Sequence, residues 1–276
     1  MFMKRYKPTT PGRRHYTVED RQMITSDEPF KALTKTIKKA KGRTKGLITV
    51  RHKGGGNKRI YREVIFGEEK KGVKGVVKSI EYDPNRSAFI ALVSYQDGDW
   101  RYILAPNNLK VGDEIICEEN APLKEGNRLL LKNIPIGTLV HNVEIQPNTE
   151  GKLGRAAGTA IQIAGQEGEY TYLRMPSSEI RKVLSSCYAS IGQLSNLEHG
   201  LVSYGKAGRV RALGIRPTVR GKVMNPREHP YGGGEGRTQR GTKRPKDIYG
   251  NVTGGRKTRK KNKYSDKLIV ERRKKK

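Results

Sequence analysis

The chain has little of what most folded enzymes are built from. Its 276 residues include two Cys, one Trp and four Phe. Apolar residues make up 34% of it, against about 45–50% in an ordinary globular chain. Two isolated cysteines, Cys117 and Cys187, exclude a disulfide-dense scaffold. They lie in apolar, strand-like surroundings and read as buried free thiols of a reducing compartment, a single disulfide between them being the alternative. No run approaches the roughly 18 apolar residues that span a bilayer. The start, Met1-Phe2-Met3-Lys4-Arg5-Tyr6, is charged with no apolar core after it, which is not a secretory signal. Polybasic stretches also bind anionic lipid, but here the cations are interleaved with Gly and Pro, so no membrane partner is expected. The five histidines (His15, His52, His141, His199 and His229) are scattered, with no Cys or His at zinc-finger spacing, and no metal is expected.

Acidic charge is missing in a patterned way. Met1–Ile60 carries 17 Lys and Arg against 4 Asp and Glu, and Leu201–Lys276 carries 24 against 5. Tyr61–Gly200 holds 16 against 18. The net charge of +30 therefore sits on the two ends, +13 and +19 about a middle of −2. A neutral body with two cationic arms is the electrostatic footprint of a protein embedded in nucleic acid. Like charges at that density cost stability unless a polyanion neutralises them, and each phosphate contact releases a condensed counterion. The ends also lack the apolar residues to repay chain entropy by themselves.

What the middle does contain is short strands. The runs 73–82, 88–95, 100–104 and 114–117 are β-branched and aromatic, and Asp-Pro, Asp-Gly and Gly-Asp pairs bound them. A second set follows a linker at Ala121-Pro122-Leu123: 128–131, 138–145, 160–164, 170–175 and 180–184. The fold class is all-β, with two consecutive small barrels, OB-like then SH3-like, and extended basic N- and C-terminal arms. The expected boundaries are 1–60 for the N-terminal arm, 61–120 for the first barrel, 124–200 for the second and 201–276 for the C-terminal arm. From Gly205 onward Gly and Pro are too frequent for either a helical or a strand period.

The candidate site residues lie mostly where basic and small residues mix. His52-Lys53-Gly54-Gly55-Gly56, with Lys58, Arg59 and Arg62, joins three glycines to a cationic cluster. Such glycines let a backbone approach phosphates, while cations supply charge and stacking planes. It is not a nucleotide-binding P-loop, because no Lys-Ser/Thr pair follows at that spacing. Lys152 and Arg155 sit in a small-residue loop that reads either as an RNA contact or as a solvated hairpin connection. In the C-terminal arm, Lys206, Arg209, Arg211, Arg216 and Arg220 space cations along the backbone. Beyond them, Asn225, Glu228, His229 and the glycines Gly232, Gly233 and Gly234 form a Pro- and Gly-shaped turn. Glu228 and His229 could form an acid–base pair, but no nucleophile or pocket-forming core accompanies them. Trp100, Tyr102 and Tyr82 read as barrel packing.

Together these segments resemble the bacterial type of the L2 family of large-subunit ribosomal proteins. The resemblance runs over nearly the whole chain. It rests on Lys7-Pro8-Thr9-Thr10-Pro11-Gly12, the triple-Gly segment, residues 80–88 (IEYDPNRSA) and 101–106 (RYILAP), Arg155-Ala156-Ala157-Gly158, Met224-Asn225-Pro226 and residues 232–236 (GGGEG). It implies an OB-like and an SH3-like domain with both ends threading into 23S rRNA. Arg86, in the third of these motifs, and Arg237, just after the last, join the RNA-binding set. The implied role is a structural constituent and primary 23S rRNA binder that supports assembly, association of the 30S and 50S subunits, and the peptidyl transferase region where tRNA binds. The implied partners are 23S rRNA, small-subunit rRNA at the interface, nearby tRNA and other large-subunit proteins, with no homo-oligomer. No cofactor is implied, Mg2+ entering only as part of the rRNA.

A His in the segment matching His229 has been proposed as catalytic in that family. This chain has Glu228 where Asp is usual, Tyr231 where a second His is usual, and Asn57 in place of another His. RNA packing tolerates those changes better than a fixed dyad does. Family motifs begin within the first dozen residues, so no transit peptide is expected. The expected location is the bacterial cytoplasm, or an organelle stroma if the gene is plastid-encoded. The competing readings are a peptidyltransferase with His229 as general base and a free-standing architectural nucleic-acid-binding protein.

Overall fold

The computed structural model describes residues 3–38, 41–236, 239–255 and 257–273. It is mostly β-sheet, and the chain gathers into two compact units. The first comprises Met1–Lys38, Lys58–Ala207 and Lys267–Lys276, and the second comprises Lys39–Asn57 and Gly208–Asp266.

The first unit holds the OB-like and SH3-like sheets that the strand pattern implies. In the OB-like sheet, β1 (Gly75–Glu81), β2 (Ile90–Tyr95), β3 (Trp100–Leu104) and β4 (Glu114–Ile115) lie antiparallel in the order β4-β1-β2-β3. Alternation along β2 sends Ala91 and Val93 to one face, against Val77, Phe89, Ala105 and Ile115. Ile90 and Leu92 go to the other, against Leu33 and Tyr102. That second face is closed by residues far upstream: Phe30 stacks on Trp100 at 5.2 Å. Its amide donates to the Tyr102 hydroxyl at 2.7 Å, which in turn donates to Glu81 Oε2 at 2.7 Å. Burial raises the Glu81 carboxyl above the usual carboxylate range, although Tyr102 and Ser79 both donate to it.

The SH3-like sheet runs through β5 (Arg128–Leu130), β6 (Leu139–His141), β7 (Ile161–Glu167), β8 (Tyr170–Arg174), β9 (Ile180–Leu184), β10 (Tyr188–Ile191) and β11 (Ile269–Glu271). The order is β5-β10-β6-β7-β8-β9-β11, antiparallel throughout. Leu129, Leu131, Ile134, Val140, Ile161, Ile163 and Leu173 fill its core. Both cysteines are free thiols, and burial raises Cys117 to about 11 and Cys187 to about 12.

Phe66, Ala88, Leu104 and Leu194 form an apolar cluster between the two sheets. Polar side chains close the same seam. Asn196 Nδ2 donates to Ser87 O at 2.7 Å, and Ser87 Oγ accepts the Ala157 amide at 3.0 Å. Arg128, almost fully buried, reaches Glu68 Oε1 at 2.6 Å and donates to Asn142 O at 2.7 Å. Beside it, burial raises the Glu144 carboxyl, which accepts the Tyr188 amide at 2.9 Å. His141 is buried with Nδ1 at 2.9 Å from Gly192 O, so Nδ1 carries the proton that it donates.

Burial lowers the His141 pKa from 6.5 to about 4. A base held neutral in the fold contributes stability above its unfolded pKa and loses it as pH falls through the folded value. Denaturant titrations should therefore show His141 withdrawing stability between pH 6.5 and 4. Glu81 and Glu144, both raised, act with the opposite sign in this range. The His141→Gln variant isolates the effect: the difference from wild type should shrink on acidification, and a constant difference across that range would refute it.

Candidate nucleic-acid interface

The second unit spans 23 Lys and Arg against 4 Asp and Glu. Among its described residues no apolar side chain is buried, and Ser265 is the one buried residue. Backbone pairing does the work of a core. The Gly54 amide donates to Gly214 O at 3.0 Å, Asn57 to Ala212 O at 2.8 Å, and Arg216 to His52 O at 3.0 Å. Lys53 and Ile215 form an antiparallel bridge.

This crossing explains one of the three glycines directly. A Cβ on Gly56 would lie 2.7 Å from Gly214 N, 2.8 Å from Gly214 Cα and 2.9 Å from Ala212 O. Gly56 is therefore glycine because another stretch of the same chain passes over it. Gly54 and Gly55 are less confined, facing Arg216 Cδ at 3.5 Å and Arg211 Nη2 at 3.6 Å. Lys53, Arg216 and Arg220 are exposed, and His52 and Arg209 are half-buried. Arg209 and Arg211 lie on a short helix, Ala207–Ala212, in a stretch whose composition suggests extended chain. Arg211 Nη1 donates to Ile215 O at 3.2 Å.

The His229 turn belongs to the same unit. Its amides close on their own carbonyls: Glu228 N on Asn225 O at 3.0 Å, Gly232 N on His229 O at 2.8 Å, and Gly233 N on Met224 O at 3.1 Å. The two side chains of the suggested acid–base pair turn to separate backbone amides. Glu228 Oε2 accepts Asn225 N at 3.3 Å, and His229 Nδ1 accepts Tyr231 N at 3.1 Å. The imidazole leans on Tyr231, with ring centroids 4.9 Å apart. A Cβ on Gly221 would come within 2.5 Å of the His229 ring, and one on Gly233 within 2.5 Å of Pro226 Cγ. Gly234 is exposed, and Arg237 lies outside the described residues.

In the first unit, Arg86 and Arg155 both lie over the Phe66 ring, at 4.8 Å and 4.3 Å from its centroid. Arg86 is fixed by Asp83, whose buried carboxylate lies 3.1 Å from its Nε, and Arg155 donates to Gly151 O at 3.1 Å. Arg59 donates to Pro84 O at 2.9 Å, and Tyr61 accepts from Arg86 at 3.4 Å. Lys58 and Lys152 are exposed, as is Lys206, whose stem packs on Gly12. Arg62 is placed differently. It is buried on a short strand, Ile60–Arg62, and its charge acts on Glu81. Residue types mark Tyr61, next to the basic cluster, but not Phe66. Phe66 sits in the apolar run Val64-Ile65-Phe66 and reads as core until its two arginines are seen.

A family model for the RNA-binding N-terminal domain of ribosomal proteins L2 matches residues 30–117. A second, for the C-terminal domain of ribosomal proteins L2, matches residues 124–250. The first match covers the triple-glycine crossing strand and β1 to β4, and the second covers β5 to β10, the small-residue loop and the His229 turn.

Gly56→Ala should disrupt the second unit, since backbone atoms cannot swing aside as a side chain can. Gly46 provides the control, with φ +80° and nothing within 4 Å of its Cβ position. Filter binding to protein-free large-subunit rRNA should show Gly56→Ala weakened about tenfold or more, as expected for strain of about 1–3 kcal/mol, and Gly46→Ala weakened clearly less. Equal losses would remove the steric explanation.

Proposed function

Because the chain belongs to the L2 family of large-subunit ribosomal proteins, whose members are structural and bind RNA, we propose that it is a primary binder of 23S rRNA. In this reading it stabilises the fold of the large subunit during assembly. It meets small-subunit rRNA where the 30S and 50S subunits join, and lies close to the peptidyl transferase region and its tRNA. Other large-subunit proteins are its neighbours, it acts as a single copy, and it works in a bacterial or plastid ribosome. It needs no cofactor of its own, because Mg2+ belongs to the surrounding rRNA.

The observation that carries the proposal is the second unit, with 23 cations against 4 acids and no buried apolar side chain among its described residues. Such a segment cannot repay its chain entropy by itself, whereas a polyanion supplies both neutralisation and counterion release. The arginines stacked on Phe66 add a rigid cationic surface on the folded body. RNA does the chemistry. With Nδ1 accepting from Tyr231, a neutral His229 carries its proton on Nε2 and presents a donor there. A general base needs a lone pair at that position.

Affinity for protein-free 23S rRNA should fall steeply between about 50 and 200 mM salt, with a log–log slope of several units. A flat dependence would sink the proposal. The roles of His229 and Gly233 separate in assembled 50S particles. His229→Gln particles should form peptide bonds within about tenfold of wild type, below the 10²–10⁴ of a lost general base. Gly233→Val should lower particle yield, because its side chain meets Pro226 at a φ of +81°. Intact His229→Gln particles that react a thousandfold slower would make His229 catalytic.

A further inference from the structure

Tyr249 is 82% exposed at the tip of a small hairpin, in a unit where no apolar side chain is buried among the described residues. The hairpin is well built. Lys246 and Val252 form an antiparallel bridge, and Thr253 N donates to Pro245 O at 2.9 Å. Asp247 organises the turn: its Oδ1 accepts the Tyr249 and Asn251 amides at 2.9 and 2.8 Å, and its amide donates to Asn251 O at 2.9 Å. At the base, Lys246 N donates to the Tyr231 hydroxyl, which ties the hairpin to the His229 turn. A Cβ on Gly254 would stand 2.8 Å from Pro245 Cγ, so the closing strand passes tightly against the opening one.

Most tyrosines elsewhere already have a ring or cation partner. Tyr6 stacks on Tyr16, Tyr231 lies against His229, and Tyr61, Tyr82, Tyr95, Tyr170 and Tyr188 each carry a Lys or Arg. Among the described residues, the Tyr249 ring stacks on no other ring or cation. A turn this closely bonded, holding a bare aromatic face outward on a hairpin whose base is preceded by the exposed cations Lys243 and Arg244, is a mount for a flat ligand.

We propose that Tyr249 is a stacking platform for an unpaired nucleobase of the rRNA, with the 245–253 hairpin as its rigid mount. The proposal rests on the rRNA-binding reading above. Exposed cations leading into the hairpin, Lys243 and Arg244, supply phosphate contacts, and the phenol ring supplies an apolar face that any base can cover.

The test uses full-length protein and a protein-free 23S rRNA transcript. Tyr249→Phe keeps the ring and should bind within about twofold of wild type. Tyr249→Leu should bind roughly 5- to 100-fold more weakly, the range for loss of one base stack. Since neither change alters charge, all three proteins should share one salt slope. An exposed tip leaves the thermal unfolding of the first unit unchanged. Tyr249→Trp should show fluorescence quenching on addition of the transcript, over the signal of half-buried Trp100 that wild type also gives. Wild-type affinity in Tyr249→Leu overturns the proposal, as does an equal loss in Tyr249→Phe, which would assign the contact to the hydroxyl. Absence of binding by wild type would bring down the rRNA reading itself.

Discussion

With apolar residues this scarce, the chain completes a core in one of its two units, and the rest of the architecture follows from where that core lies. Both sheets and the cluster between them take up the buried aliphatic and aromatic side chains. The second unit is left with glycine, cations and backbone hydrogen bonds. Backbone pairing fixes the path of a chain, but each exchanged hydrogen bond contributes only about 1 kcal/mol net. A structure held in that way depends on its surroundings, and a polyanion is the surrounding that its charge selects.

Cationic side chains serve two purposes in this molecule, and location separates them. Arg128 and Arg62 are buried beside carboxylates, where removing one partner would strand the other's charge. Arg86 and Arg155 lie at the rim of the same body, with their planes held over Phe66. An arginine already stacked on a ring has fewer rotamers to lose on meeting an anion, so the side chain is pre-organised. Of the two buried arginines, Arg128 belongs to the seam between the sheets, where it bonds Glu68 and Asn142 O.

The strands most readily seen in the sequence are those whose own residues determine them. The run 100–104 coincides with β3 and 180–184 with β9, since alternation and turn residues mark both. β10 escaped notice although it lies between β5 and β6, because Tyr-Ala-Ser-Ile is short and weakly patterned and long-range pairing defines it. β11 lies in a polybasic stretch where three residues leave no period to read. At the interface, the mixture of glycine and cations at His52–Arg59 is conspicuous in sequence. The reason for Gly56 is not, because the atoms that exclude a side chain there lie more than 150 residues further along the chain.

β11 turns what looks like a tail into something topologically different. Its pairing of Ile269 and Glu271 with β9 returns the chain to the first unit beyond the long basic segment, which leaves that unit after Ala207. Residues 208–266 are thus the interior of a closed loop. A free end can be threaded through a ring of folded RNA, whereas a loop fastened at both ends cannot. An RNA strand that encircled such a loop would have to close around it, or the short β9–β11 ladder would have to open and re-form. One three-residue strand thereby decides whether the basic segment is a tail or a loop.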